Sequence, residues 1–220
     1  MLNKETLMVS LKLFIITALA ALCLAVVNKV TLPIIKANSL ATEVRLQQEV
    51  LSDATHFVTS EVPKIDQKGV VVNSINAGLD KSGKVFGYVV TVTSNEGYGG
   101  DVKVMVGVDN NIKVTRVKIM ESAETAGLGA NASKPQFIDQ FIGADKQLSV
   151  VKGEAKNGEI SAIASATVTS KAVTNCVNTA IDVAKEKVNS GKVAETAKKL
   201  EEIEKETKEQ LLKEEGGDKK

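Results

Sequence analysis

The sequence predicts an α+β protein, with an N-terminal transmembrane helix followed by a mostly antiparallel sheet on which helices pack. Three observations carry that expectation. A continuous apolar run fills Leu13–Val27, Val-rich segments in the middle of the chain alternate apolar with other residues, and helical periodicity returns after Thr167. The 220 residues suffice for one domain of ordinary size together with an anchor and a tail. The organisation read from them is a short cytoplasmic stub and anchor over 1–32, a stem helix over 33–63, the folded domain over 64–190 and a charged helical tail over 191–220.

The elements follow in chain order. Leu13–Val27 is apolar apart from Thr17 and is lengthened by Leu7–Leu11 before it and Val30–Leu32 after it. The inner run spans about 22 Å as a helix, and the extended segment crosses a bilayer core of about 30 Å with Lys12 snorkelling to one surface. Val26-Val27-Asn28-Lys29-Val30 offers no small-x-small cleavage site, and Leu22 before Cys23 breaks a lipobox, so the segment reads as a retained anchor. Lys4 and Lys12 before it nearly balance Lys29 and Lys36 after it. The shortness of the stub then places the N-terminus inside and the large domain outside. Leu40, Val44, Leu51, Ala54 and Val58 keep helical spacing, which predicts a stem helix ending at Val62-Pro63.

Val70–Ile75 and Lys84–Thr93 predict strands separated by the turn-rich Asn76–Gly83. Val102, Val104, Val106 and Val108 alternate strictly, and Asp109-Asn110-Asn111 turns the chain into a return strand through Ile112 and Val114. The phase change at Thr115-Arg116, before Val117 and Ile119, predicts a bulge. Pro135 suits a helix start, with Phe137, Ile138, Phe141 and Ile142 on one apolar face. Short strands near Leu148–Val151 and ending at Ile163 precede a helix that turns Val173, Val177, Ile181, Ala184 and Val188 inward. From Lys192 to Glu215 the chain is Lys- and Glu-rich, with Val193, Ala197, Leu200, Ile203 and Leu211 near heptad spacing and pairs such as Glu195 and Lys199. That pattern predicts an exposed helix without chemistry of its own.

Composition excludes several functions. A net charge of +1 gives no electrostatic case for nucleic acid. There is no Cys-x-x-Cys pair and no His cluster, so no metal centre is expected from this chain alone. The one histidine, His56, is remote in sequence from every Ser and Thr cluster, which disfavours a Ser-His-Asp hydrolase. Cys23 in the anchor and Cys176 in the domain read as small buried apolar residues and not as a pair.

The most informative stretch is Ser161–Ser170, SAIASATVTS, immediately before the last helical pattern. Helix starts leave N–H groups without partners and carry partial positive charge, so a run without bulky side chains lets a phosphate approach closely. Ser165, Thr167, Thr169 and Ser170 all offer hydroxyls. On residue types alone, an ordinary Ser/Thr helix cap explains the stretch better than a phosphate seat does, since such caps are common.

Ala164-Ser165-Ala166-Thr167-Val168-Thr169-Ser170 resembles the flavinylation motif Ser-Gly-Ala-Thr-x-Thr-Ser of the FMN-binding domain family. That family includes the G subunit of Rnf electron-transport complexes and the C subunit of the sodium-translocating NADH:quinone reductase. Here Ala164-Ser165 stands for Ser-Gly, and Ser161 occupies a place where an acidic residue is common. A second block, Glu121–Phe141, resembles the family's Glu-Thr-Pro-Gly-Leu-Gly segment. Glu124, Thr125, Gly127, Leu128 and Gly129 match, Ala126 replaces proline, and Ser122 stands where histidine is common. Gly97-Tyr98-Gly99-Gly100 and Val104–Asp109 agree with the family's order, and the resemblance extends from the first apolar run to about Asn189.

The resemblance implies an extracytoplasmic FMN-binding domain whose Thr167 carries FMN covalently through a phosphoester installed by a separate flavin transferase. It implies cofactor contacts from Glu124, Thr125, Gly127, Leu128, Gly129, Ser165, Ala166, Val168, Thr169 and Tyr98. With aromatic residues at 3% and no Trp, Tyr98 and Phe86 are the few candidates to stack on the ring. The implied function is that of a single-pass inner-membrane subunit relaying electrons in a complex that passes them from reduced ferredoxin to NAD and exports a cation. Its partners are the other membrane and peripheral subunits, the flavin transferase and membrane lipid. Alternatives are the C subunit of a quinone reductase, a flavinylated electron shuttle for another reductase, and a nonredox anchored interaction module.

Overall fold

The structure, a computed structural model, describes residues 4–62 and 69–190. The charged tail and Pro63 lie outside the described residues. Helix α1 spans Lys4–Val50. Within it, Met8–Leu32 is a 25-residue segment apolar and long enough to cross a membrane. Its large side chains, among them Leu13, Phe14, Ile16, Leu19 and Leu24, are exposed all around the helix. The Thr17 and Thr31 hydroxyls donate to the carbonyls of Leu13 (3.0 Å) and Val27 (2.9 Å), so neither polar group needs water. A helix apolar on every face and buried against nothing fits a single-pass membrane anchor. Cys23 lies on the exposed surface of this apolar segment, apart from the domain core that holds Cys176.

The helix ends earlier than its spacing suggests. The predicted stem helix through Val58 stops at Val50, and His56–Ser60 is a strand, β1. The run His56-Phe57-Val58-Thr59 is aromatic and β-branched, which favours pairing over helix. It pairs with β2 (Val70–Leu79) in antiparallel register, His56 opposite Leu79 and Ser60 opposite Ile75. The remaining strands β3 (Val85–Ser94), β4 (Val102–Asp109) and β5 (Val114–Ser122) complete a five-stranded antiparallel meander in the order β1-β2-β3-β4-β5. Helix α2 (Pro135–Ile138) lies between two short 3₁₀ turns. Strands β6 (Ser149–Val151) and β7 (Glu159–Ser161) pair in parallel, and α3 spans Thr167–Ser190.

The sheet is covered on both faces. Val90, Val92, Val104, Val106 and Val117 pack with Val173, Cys176, Val177, Ala180 and Ile181 of α3 and with Phe137 and Phe141. On the other face Val89 and Met105 meet Val50, Leu51 and Ala54, so the end of α1 and its turn close that side. Double coverage explains why β3 and β4 are buried at nearly every position. Cys176 sits in this core, where burial pushes its thiol up to about 12.

Bulges set the details. Gly107 pairs with Arg116 and Val108 with Val114, so Thr115 is the extra residue where the phase change predicts it. The bulge turns the Thr115 hydroxyl onto the Val50 carbonyl at the end of α1. A second irregularity skips Met120, which joins the cluster under α1. A third, between Gly78 and Leu79 of β2, skips Phe86 on β3 and turns its ring into that same cluster. Phe86 is therefore half-buried against that cluster and away from the start of α3, contrary to its expected availability for stacking. Two turns also differ from expectation. Strand β2 runs on to Leu79, and the turn is Asp80–Lys84, closed on the Asp80 carboxylate by Ser82 Oγ (2.6 Å) and the N–H groups of Ser82 and Lys84. These bonds hold the Asp80 carboxyl below its usual range. Ile112 precedes the strand in the turn itself, at φ 62°, because its N–H closes on the Asp109 carbonyl at 3.0 Å.

Phe141 is fully buried and meets Phe137 edge-on, with ring centroids 5.4 Å apart. Phe141→Ala is expected to cost about 3–5 kcal/mol, read as a lower midpoint in chemical denaturation with an unchanged slope.

Candidate functional site

The site forms where α3 starts. The chain leaves β7 at Ser161 and turns through Ile163–Ala166, with the Ala166 N–H donating to the Ile163 carbonyl at 2.9 Å. Ser165 adopts φ 59°, the left-handed region. This is the position where the resembling motif has glycine, so the departure in sequence falls where the backbone favours Gly. Ser170 is consumed structurally: its hydroxyl accepts from the Ile163 N–H (3.0 Å) and donates to the Ala166 carbonyl (2.9 Å). The first helical bond runs from the Ser170 N–H to Ala166 at 3.0 Å. The N–H groups of Thr167, Val168 and Thr169 therefore precede the hydrogen-bonded ladder and form the positive end of the helix.

The side chains of this first turn divide by environment. Val168 is exposed, Thr167 is half-buried, and Ala166 and Thr169 are buried. The Thr169 hydroxyl has no hydrogen-bond partner among the described residues. An unpaired buried hydroxyl costs about 1–3 kcal/mol.

Two loops meet this start. In the loop after β5, the Glu124 N–H donates to Ser122 Oγ at 3.3 Å, and Gly127 turns the chain at φ 80°. The turn closes through Leu128 N–H and Ala130 N–H onto the Thr125 carbonyl, at 3.1 and 3.2 Å, and Asn131 Nδ2 holds the Gly127 carbonyl at 2.7 Å. Gly129 is needed for space: a Cβ there would strike the Glu124 carboxylate and come within 2.7 Å of Thr169 Oγ1. In the loop between β3 and β4, the Tyr98 N–H donates to Glu124 Oε1 at 2.8 Å. Gly97 and Gly99 have no room for a side chain either, since Cβ atoms would lie 2.9 Å from Glu124 Oε1 and 3.1 Å from Glu124 Cα.

Together these segments enclose a cleft of about 370 Å³, in the size range of small-molecule sites. Its walls are Tyr98, Glu124, Thr125, Leu128, Gly129 and the continuous stretch Ser165–Thr169. Of the residues for which the resemblance implies a cofactor contact, Gly127 alone does not line it and acts by shaping the turn. Sequence reasoning missed the supporting roles of Ser122 and Asn131, polar residues in loops whose spacing carries no periodic signal. The closely set Gly97 and Gly99 are a sequence signal that could have pointed to a tight backbone approach, though not to Ala123 and Glu124 as what they approach.

Gly129→Ala is expected to push apart the Glu124 loop and the helix start, with a loss of about 1–3 kcal/mol visible as a lower thermal midpoint. Ser165→Gly should act oppositely, removing the left-handed strain and stabilising by about 0.5–1 kcal/mol after the added freedom of the unfolded chain. A lower midpoint in Ser165→Gly would contradict that account.

Residues 97–182 match the FMN-binding domain family, a span that takes in both loops and the helix start. The chain is 39% identical over 187 residues to the G subunit of the Na(+)-translocating ferredoxin:NAD(+) oxidoreductase complex of Acetobacterium woodii, covering 78% of this chain and 87% of that one. It is 36% identical over 144 residues to the G subunit of the proton-translocating ferredoxin:NAD(+) oxidoreductase complex of Clostridium ljungdahlii, covering 62% and 72%. Among solved structures it is similar to NqrC of Shewanella oneidensis, with a TM-score of 0.49 and 22% identity over 66% of this chain and 74% of the other. The chain belongs to the family of G subunits of ion-translocating oxidoreductase complexes and contains its FMN-binding domain.

Proposed function

We propose that this chain carries FMN as a phosphoester on Thr167 and relays electrons within a membrane complex that couples ferredoxin:NAD oxidoreduction to ion transport. The observation that carries the reading is the position of Thr167, the first residue of α3, with its side chain on the cleft wall. The residues present fit the group. A phosphate on the Thr167 oxygen would lie beside the N–H groups of the first helical turn, where the small neighbours Ser165 and Ala166 would leave it room, and the cleft beyond is walled by Leu128, Val168 and Tyr98. When bound, FMN supplies the redox chemistry, and the protein supplies its seat.

Each residue then has a physical task. Thr167 fixes the cofactor so that it is not lost outside the cytoplasm, replacing a bimolecular encounter with a permanent high local concentration. Glu124 holds the two loops together and places a carboxylate on the cleft wall. Among the described residues, His56 lies on β1 and does not line the cleft, so no histidine there activates the Thr167 hydroxyl. Attachment by a separate flavin transferase is what the resemblance of the Ala164–Ser170 motif implies. The Met8–Leu32 segment anchors the chain in the cell membrane, with the FMN-binding domain on the extracytoplasmic side and further subunits of the complex as its partners.

Protein made with a flavin transferase should gain the mass of FMN less water and fluoresce on a denaturing gel, and Thr167→Val should lose both while keeping its thermal midpoint. Fluorescence that persists in Thr167→Val would move the attachment to another hydroxyl. Membranes holding assembled complex with Thr167→Val should lose ferredoxin-driven NAD reduction and ion transport together; near-normal transfer would place the flavin off the main path. Protease added to intact spheroplasts should remove the domain and leave a short anchored fragment, whereas full protection would reverse the orientation.

A further inference from the structure

A second pocket, of about 210 Å³, shares no residue with the cleft. It opens between the loop over 142–148 and the turn over 156–159 that enters β7. Both walls are held by the fold itself. The Gly143 N–H donates to the Val114 carbonyl at 2.8 Å and the Val114 N–H to the Ala144 carbonyl at 2.9 Å, which ties the first wall to β5. The second closes through the Glu159 N–H onto the Lys156 carbonyl at 2.9 Å, with Gly158 at φ 88°. In return the Lys156 N–H donates to Glu159 Oε2 at 2.9 Å, so that carboxylate is engaged by the turn.

The donors of the pocket are not engaged in this way. Lys103 pairs with Glu121 and Lys118 with Glu49, but Lys146 and Lys156 have no ion pair among the described residues. The Lys146 stem lies along the turn, where a Cβ on Gly158 would come within 3.2 Å of its Cε and 3.7 Å of its Nζ. The N–H groups of Asp145, Lys146, Asn157 and Gly158, all on residues that line the pocket, also have no partner among the described residues. Two unpaired cations and several unpaired N–H groups around one recess suit an anion with many oxygens. A planar carboxylate is best met by the arginine fork, and no arginine is among the lining residues. A tetrahedral phosphate instead takes lysine point charges and backbone N–H groups.

We propose that this pocket binds a phosphate group, held by the ammonium groups of Lys146 and Lys156 and by N–H groups of the 156–159 turn. Asp145, the lining carboxylate that no turn engages, opposes the anion and weakens its binding. Because the walls are already fixed, little order has to be imposed on binding. The site is independent of the FMN reading, since none of its residues lines the cleft.

The test uses the full-length chain in detergent at neutral pH, with inorganic phosphate replacing chloride at constant ionic strength and the thermal midpoint followed by far-UV circular dichroism. The wild-type midpoint should rise with phosphate and level off, as a ligand bound only by the folded state requires. Lys146 and Lys156 are exposed, so Lys146→Ala and Lys156→Ala should melt like wild type in chloride. Each should need about tenfold more phosphate for the same rise, because one charge-assisted hydrogen bond is lost. Asp145→Asn should need less phosphate than wild type. Phosphate also stabilises folded proteins generally, by exclusion from their surface, and that effect does not level off with site occupancy. An equal rise in the Lys146→Ala/Lys156→Ala double variant would therefore overturn the proposal, as would a wild-type midpoint that never levels off. A further arm keeps chloride and dopes the micelle with phosphatidic acid. A rise there that the double variant lacks assigns the group to a lipid headgroup, whereas a response to inorganic phosphate alone assigns it to a soluble phosphate.

Discussion

The close approach of the Glu124 loop to the start of α3 is the constraint on which the site depends. Gly129 lies between the Glu124 carboxylate and the Thr169 hydroxyl, and a single added carbon there would separate them. The same carboxylate reaches across to the Tyr98 N–H, so one side chain ties the β3–β4 loop, the loop after β5 and the helix start into one wall. Loops on a surface are ordinarily the least ordered part of a fold. Here three glycines and one acceptor remove that freedom, because backbone packed against backbone leaves nothing to rearrange.

Those loops are held to a scaffold that is rigid for a different reason. The central strands β3 and β4 are covered by α3 on one side and by the end of α1 with its turn on the other. Helix α3 serves two purposes at once: Val173, Val177 and Ile181 fasten it to the sheet, and its first turn faces the cleft. Each such side chain contributes about 1.5–3 kcal/mol by burial. That anchoring fixes the direction of the helix, and hence of the N–H groups at its start, without any help from the ligand.

Much of this was legible in the sequence, and what was not had identifiable physical causes. Strict alternation in Val102–Val108 gave β4, the phase change at Thr115 gave the bulge, and the spacing of Val173, Val177 and Ile181 gave the buried face of α3. The end of α1 was misread because Leu51 and Ala54 are apolar for packing on the sheet, and that need coincides with helical spacing. The departure of β1 at His56 lies in β propensity, a weaker signal than periodicity. Phe86 and Ile112 were misplaced for one reason: a bulge or a left-handed turn residue shifts a side chain to the opposite face, and alternation alone does not show where the shift occurs. At the site, the resemblance of two motif blocks, and not residue types alone, pointed to the residues that line the cleft, but the Tyr98–Glu124 bond joins positions 26 apart in sequence and follows only from the fold.

The start of α3 also contains two local costs that folding alone does not explain. Ser165 in the left-handed region is strained by about 1–2 kcal/mol, and the unpaired Thr169 hydroxyl costs about 1–3 kcal/mol. Both fall within four residues of Thr167, on the segment that lines the cleft, while Ser170 beside them has every bond it needs. The strain is tolerated because the buried face of α3 over-determines where the segment must run. Its result is a turn that sets Ser165–Thr169 along the cleft wall, with the N–H groups of Thr167, Val168 and Thr169 ahead of the first helical hydrogen bond. The left-handed Ser165 and the unpaired Thr169 hydroxyl on the cleft wall are features that a helix start whose Ser and Thr residues serve only as caps does not require.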